Sequence, residues 1–268
     1  MRGRTIVAVG LGLVCACSAG AQPKPSTPPK TGVAPLPRDL EIQLALSALP
    51  RHLRDAATVY VLNPAKGFEV ARQGTNGFHA FVARTGDDTF RGTWPLTAYP
   101  DDILYPVSFD DAGAKANMRV FFDAATLQAQ GMAPQQLKEL IQQRYRSHYY
   151  KAPARAGLSY MMSPILRTYV NPDESDDVRT AIVPHVMHYA PDVSNDAVGA
   201  VMPSPEAFTH FVEHGRWREN PDPFVIMRGP HGFLVQFLGV TERAAIAKEY
   251  EAMLARLCTL RREWCLPQ

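Results

Sequence analysis

Apolar residues recur along this chain with two different periods, and the changes of period divide it into elements. Between residues 38 and 49, Leu40, Ile42, Leu44, Leu46 and Leu49 are compatible with a helix that Pro50 interrupts. Residues 58–62, 67–72 and 78–84 then read as three short strands rich in Val, Phe and Tyr. The turns between them are Asn63-Pro64 and the stretch from Gly74 to Gly77, where Asn76-Gly77 supplies the positive φ of a tight reversal. Their succession predicts an N-terminal β-meander. A fourth strand is expected over 103–109, then helices over 117–130 and 134–149, the second with Pro134 suited to a first turn.

The second half alternates faster. Residues 158–163, 167–171 and 183–189 read as strands separated by loops rich in Pro, Asp and Ser. Ser204-Pro205-Glu206 opens a helix with a serine cap, a proline at the first position and an acid in the first turn. Residues 224–227 and 232–238 predict a hairpin around Gly229-Pro230-His231-Gly232, and Thr241 is expected to cap a last helix carrying Ala245, Ala252, Leu254 and Leu257 on its apolar face. Strands and helices come in blocks without regular βαβ alternation. That order predicts an α+β fold, a largely antiparallel sheet with several packing helices.

The N-terminus follows a different pattern. Arg2 and Arg4 precede an apolar run from Ile6 to Val14, too short to span a bilayer, and small residues around two cysteines come next. This is the layout of a secretory signal over residues 1–21, and it predicts an exported chain. Val14-Cys15-Ala16-Cys17 fits a lipoprotein site with Cys17 acylated, whereas Ala19-Gly20-Ala21 fits an ordinary signal peptidase that would release the chain at Gln22. Ser18, in place of an aspartate, favours an outer over an inner membrane if Cys17 is lipidated. Residues 22–37 carry six prolines and almost nothing apolar, so they predict an extended tether on the order of 50 Å long. A single domain is expected over 38–268, located in the periplasm or at the outer membrane, with secretion as the alternative.

Charge and cysteine content narrow the function classes. The signal holds two of the 28 basic residues, which leaves 26 against 26 acidic ones, a balance with no long-range field to attract nucleic acid. Contact with a membrane is expected only through an N-terminal lipid anchor. Cys258 and Cys265 are the two cysteines of the body, and an oxidising compartment makes a disulfide between them the expectation, provided the last helix ends near Leu260 so that the chain folds back.

Familiar catalytic motifs are absent: the chain has no GxSxG elbow, no HExxH, no P-loop and no GxGxxG. The densest polar segment is Pro184 to Gly199, which holds His185, His188, Tyr189, Asp192, Asn195 and Asp196. On a strand, His185 and Tyr189 share a face while His188 points away, so the two imidazoles diverge and no metal is assigned to them. His185, Tyr189, Tyr160, Asn195 and Asp196 are the candidate ligand-binding residues. His79 is expected to be a strand histidine and His231 a solvated hairpin tip, while His210 and His214, four apart on the helix opened by Ser204, share a face without a third ligand. The Asp-Asp pairs at 87–88, 101–102, 110–111 and 176–177 fall in loops, where aspartate serves turns; the acid patch of Asp173, Glu174, Asp176 and Asp177 is a weak calcium candidate. No cofactor is implied.

Taken together, Thr75-Asn76-Gly77-Phe78, the stretch from Gln128 to Met132, the stretch from Lys151 to Ser163 and Pro184 to Gly199 resemble a group of uncharacterised exported bacterial proteins. The resemblance implies that these segments belong to one domain and carries no activity with it. Two functions remain open. One is a non-enzymatic domain that binds a small molecule, peptide or envelope partner near Tyr160, His185 and Tyr189. The other is a cofactor-free envelope hydrolase with a histidine as general base.

Overall fold

The computed structural model describes residues 33–85, 88–170, 172, 175–227 and 229–267. The signal-type segment, Cys17, most of the tether and the acids Asp87, Asp173 and Glu174 lie outside the described residues. Strands are β1 (Thr58–Asn63), β2 (Gly67–Arg72), β3 (Phe78–Ala83), β4 (Tyr105–Asp110), β5 (Leu158–Met161), β6 (Leu166–Tyr169), β7 (Val178–Ala181), β8 (His185–Tyr189), β9 (Phe224–Ile226) and β10 (Phe233–Phe237). Helices are α1 (Arg38–Ser47), α2 (Arg51–Arg54), α3 (Asp88–Arg91), α4 (Asp111–Lys115), α5 (Met118–Ala129), α6 (Pro134–Arg146), α7 (Asn195–Val198), α8 (Pro205–His214), α9 (Val240–Glu249) and α10 (Glu251–Leu260).

Eight strands form one sheet in the order β2-β1-β3-β4-β5-β8-β10-β9, and β6 and β7 form a separate hairpin. Every neighbouring pair in the large sheet is antiparallel except β1 and β3. The fold is therefore α+β with a mostly antiparallel sheet.

The N-terminal strands stand where the apolar pattern placed them, but their order corrects the simple meander. After β2 the chain passes beneath the start of β1 and enters β3 parallel to β1. Thr75 and Asn76 donate their backbone N–H groups to the Ala56 carbonyl on the way. A Cβ on Gly74 would lie 2.2 Å from the Ala57 carbonyl carbon, so only glycine can make this crossing. A reversal at Asn76-Gly77 thus serves a crossover, which alternation alone cannot distinguish from a hairpin.

Two apolar layers cover the sheet. On one face Phe81, Val107, Phe109, Met187, Phe233 and Val235 pack against Val120, Phe121 and Ala124 of α5 and Leu137 and Ile141 of α6. On the other, Val59, Ala80 and Val82 meet Leu40 and Leu44 of α1, Met253 and Leu257 of α10, and Trp264. Helix α5 reaches the core because its buried positions 118, 120, 121, 124, 125 and 128 form a single helical stripe. Packing begins before Arg38: Val33 and Leu36 are buried, and Arg84 donates to the Ala34 carbonyl at 3.0 Å, so the end of the expected tether is part of the body.

The last helix differs from its expectation. Gly239, not Thr241, is the N-cap, and the helix breaks at Tyr250, whose side chain is buried against the α1 layer. After Leu260 the chain extends at Arg261 and turns back, and Cys258 and Cys265 form a disulfide with Cα atoms 4.4 Å apart. Strand β7, a short polar stretch without an apolar period, carried no signal of its own; it exists because it pairs with β6.

Candidate functional site

The structure separates the residues proposed from the sequence. Tyr160 pairs in register with Val186, so it lies on the sheet face opposite His185 and Tyr189, where it packs near Phe78. No shared pocket of Tyr160, His185 and Tyr189 exists. His185 is a core residue. Its Nδ1 donates to the Val183 carbonyl at 2.7 Å, its ring lies 5.0 Å from that of Phe237, and burial pushes its pKa down to about 4. Among the described residues no carboxylate or hydroxyl is hydrogen-bonded to its ring.

Tyr189 is equally structural. Its hydroxyl bridges Asp110 at 2.9 Å and the Leu158 carbonyl at 2.8 Å, and the same Asp110 oxygen accepts the Gly113 N–H at the start of α4. Gly113 and Gly157 make room: a Cβ on either would fall 2.0 Å from the Tyr189 hydroxyl or 2.2 Å from an Asp110 oxygen. Asn195 clamps the backbone of Val225 from both sides, Nδ2 donating to its carbonyl at 3.1 Å and Oδ1 accepting its N–H at 2.7 Å. It closes the outer edge of β9 in place of another strand. Asp196 is exposed in the first turn of α7, which Ser194 caps as expected.

The remaining candidates resolve in the same way. Tyr60, His79 and Asp111 form a hydrogen-bonded row of 3.0 and 3.2 Å on the face of β3 that α5 covers, with His79 half-buried. His210 and His214 have ring centroids 4.4 Å apart, and among the described residues no group of three His, Cys, Asp or Glu side chains is placed to hold a metal. Asp101 pairs with Arg261, Asp102 with Arg167 and Asp177 with Arg179. These acids are occupied by their own arginines.

A different histidine lies in a cavity. His231 is only 3 % exposed, so the hairpin between β9 and β10 does not present it to solvent as the Gly-Pro-His-Gly turn suggested. A short 3₁₀ turn over Gly229–His231 folds it inward beneath α6, with the rings of Tyr145 and Tyr150 edge-on at 5.4 and 6.3 Å. His231 Nδ1 lies 2.7 Å from Oδ1 of Asn117, a residue 4 % exposed at the junction of α4 and α5. An amide oxygen only accepts, so Nδ1 carries the proton. Burial holds the imidazole below the usual histidine range, with a backbone hydrogen bond to Tyr150 working the other way. The ring is therefore neutral near pH 7, and Nε2 presents a lone pair.

Two polar atoms here are left without partners. Among the described residues neither His231 Nε2 nor Asn117 Nδ2 has a hydrogen-bond partner, although both are buried. They border a cavity of about 30 Å³ walled by Val107, Phe109, Phe121, Met187, Met227 and Phe233, with Arg91, Tyr105 and Tyr145 also at its margin. That volume suits about two water-sized groups. Met187 and Met227 are unbranched and adapt their shape to a guest. An unpaired buried donor or acceptor costs about 1–3 kcal/mol, so two of them on residues that line one cavity mark a place where a partner is missing. The site offers one acceptor and one donor on an apolar wall. Among the described residues no hydroxyl, thiol or carboxylate hydrogen-bonds to Nε2.

Sequence reasoning singled out His231 but placed it on a solvated tip, and it passed over Asn117. The glycines flanking Pro230 and His231 signalled a tight turn, not its direction. Asn117 held no local signal, because its role arises from a break between two helices. Compared with protein-family models, curated proteins and solved structures, the chain matches none of them.

Proposed function

We propose that this protein is an exported small-molecule-binding domain whose binding site is the His231–Asn117 cavity. The observation that supports the reading is the pair of buried, unpartnered atoms, His231 Nε2 and Asn117 Nδ2, on two residues that line one apolar cavity. A guest that answers both must carry a donor and an acceptor on an apolar body. A hydroxyl or a primary amide does so; a hydrocarbon does not. The signal-type N-terminus and the paired cysteines of the body support export.

Short alcohols and amides are the probes of choice, with ¹⁵N NMR following the Asn117 side-chain amide and the His231 ring. Saturable shifts at both groups are expected for methanol or formamide and none for methane, and Asn117→Leu/His231→Phe is expected to abolish probe binding. Non-saturating shifts, or equal protection of the wild type and the double variant against unfolding by the same probes, would overturn the reading.

A further inference from the structure

A larger cavity, of about 310 Å³, lies between the start of α1 and the turn that joins β1 to β2. Leu36, Val61 and Pro64 give it apolar walls, and Arg38, Glu41 and Glu69 give it charge. None of these residues lines the His231 cavity, so the two cavities are separate. Arg38 and Glu69 are about half exposed and stand 3.5 Å apart at the rim, a pairing that water weakens. Glu41 is only 2 % exposed.

Two carboxylates are buried among the described residues, Asp110 and Glu41, and their surroundings differ. Asp110 has Arg155 as its ion pair and hydrogen bonds from Tyr189 and Gly113. Glu41 has a single partner: its Oε1 accepts the Leu62 N–H at 2.7 Å, and among the described residues no cation pairs with it. Arg84, the buried cation nearby, donates instead to the carbonyls of Ile103, Ala34 and Asp101. Desolvation pushes the Glu41 pKa up to about 7; the Leu62 N–H, Arg84 and Arg38 work against this, and Glu69 works with it. A glutamine at this position would answer the Leu62 N–H equally well without burying an ionisable group. Folding therefore accounts for one oxygen of Glu41 and leaves the other, on a residue that lines the cavity, without a task.

We propose that this cleft binds a small organic cation, an ammonium or guanidinium group on a short apolar body, with Glu41 as its counter-ion. A buried carboxylate without a counter-ion is costly, and a bound cation supplies both the charge and the hydrogen-bond donor that Glu41 lacks. Glu69 at the rim offers a second acceptor, and Leu36, Val61 and Pro64 receive the hydrocarbon. The volume is that of a small-molecule pocket. A bare metal ion is a poorer match, since among the described residues no three His, Cys, Asp or Glu side chains are grouped to hold one. The cleft is open at its rim, so guests exchange freely and the site is read by titration rather than by what copurifies.

The test is a titration of the full chain with butylammonium, butanol and butyrate, followed at the Leu62 amide by ¹⁵N NMR. Butylammonium is expected to give a saturable shift at about pH 8 and to bind about thirtyfold more weakly at about pH 5.5. Over that interval Glu41 passes from mostly ionised to mostly protonated, while the ammonium stays charged. Glu41→Gln keeps an acceptor for the Leu62 N–H; it should lower the affinity at the higher pH about tenfold or more and remove the pH dependence. Asn117→Leu/His231→Phe should bind butylammonium as the wild type does. Butanol or butyrate binding as tightly as butylammonium, an affinity equal at the two pH values, or one unchanged in Glu41→Gln would contradict the proposal. So would loss of butylammonium binding in Asn117→Leu/His231→Phe. The wild-type comparisons of probe and pH decide the matter even where Glu41→Gln folds poorly.

Discussion

Tyr189 and His231 are both buried polar rings on the same side of the large sheet, and their surroundings differ in one respect. Around Tyr189 each polar group has a partner: the hydroxyl shares its one proton between Asp110 and the Leu158 carbonyl, and Asp110 also serves the Gly113 N–H and Arg155. Around His231 a side-chain hydrogen bond to Asn117 and a backbone one to Tyr150 still leave two buried side-chain atoms unanswered among the described residues. The first arrangement holds β4, β5, β8 and α4 together; the second contributes little to that and leaves a small space instead. A closed network speaks for architecture, and a half-closed one on a cavity speaks for a guest. Residue type alone cannot separate them.

His185 belongs with Tyr189 as architecture, and its titration should show this. Its folded pKa, about 4, lies below the unfolded value of 6.5, so only the unfolded chain takes up a proton between the two. Its contribution is complete above pH 6.5 and is lost as the pH falls towards 4, by about 3 kcal/mol. Glu41 acts in the opposite sense. Burial pushes its pKa up to about 7, so its contribution is complete below pH 4.5 and is lost as the pH rises through 7. The two slopes oppose each other over the shared interval. Glu41→Gln should therefore expose the acid-side loss in denaturant titrations, and Glu41→Gln/His185→Phe should flatten it again.

Next, Tyr189→Phe should cost about 2 kcal/mol, because Asp110 and the Leu158 carbonyl lose a buried donor. Urea denaturation reads the loss, and probe binding at the cavity should not change. Asn195→Ala should cost about 1 kcal/mol by freeing the edge of β9, and hydrogen exchange at the Val225 amide should rise with it. Smallest of all, Asn117→Leu/His231→Phe should alter stability by less than about 1 kcal/mol, since both partners become apolar together, whereas Asn117→Leu alone should cost about 1–3 kcal/mol by stranding the His231 Nδ1–H. A double variant as damaging as Tyr189→Phe would mean that the His231 pair is architecture too.

The α+β class, the strand segments of β1 to β4, helices α5 and α6, the serine caps of α7 and α8 and the Cys258–Cys265 bridge were all legible in the sequence, because each rests on local periodicity, capping or spacing. The order of β1, β2 and β3 was not, since it depends on Gly74 slipping beneath Ala57 rather than on the strands themselves. The polar segment from Pro184 to Gly199 drew attention by density, and the fold spends that density on core packing and edge closure. His231 and Asn117 stand 114 residues apart, and only the inward turn before β10 and the break between α4 and α5 bring them together. Alternation along a strand does show that His185 and Tyr189 share a face. It cannot show that Tyr160, on a neighbouring strand, falls on the other one until the register is known.

Native mass spectrometry of the protein purified from its own cells, beside Asn117→Leu/His231→Phe purified in the same way, tests the central claim most directly. The account predicts a small excess mass on the wild type that disappears on denaturation and is missing from the double variant. The same excess mass on both proteins, or none on either, would contradict it.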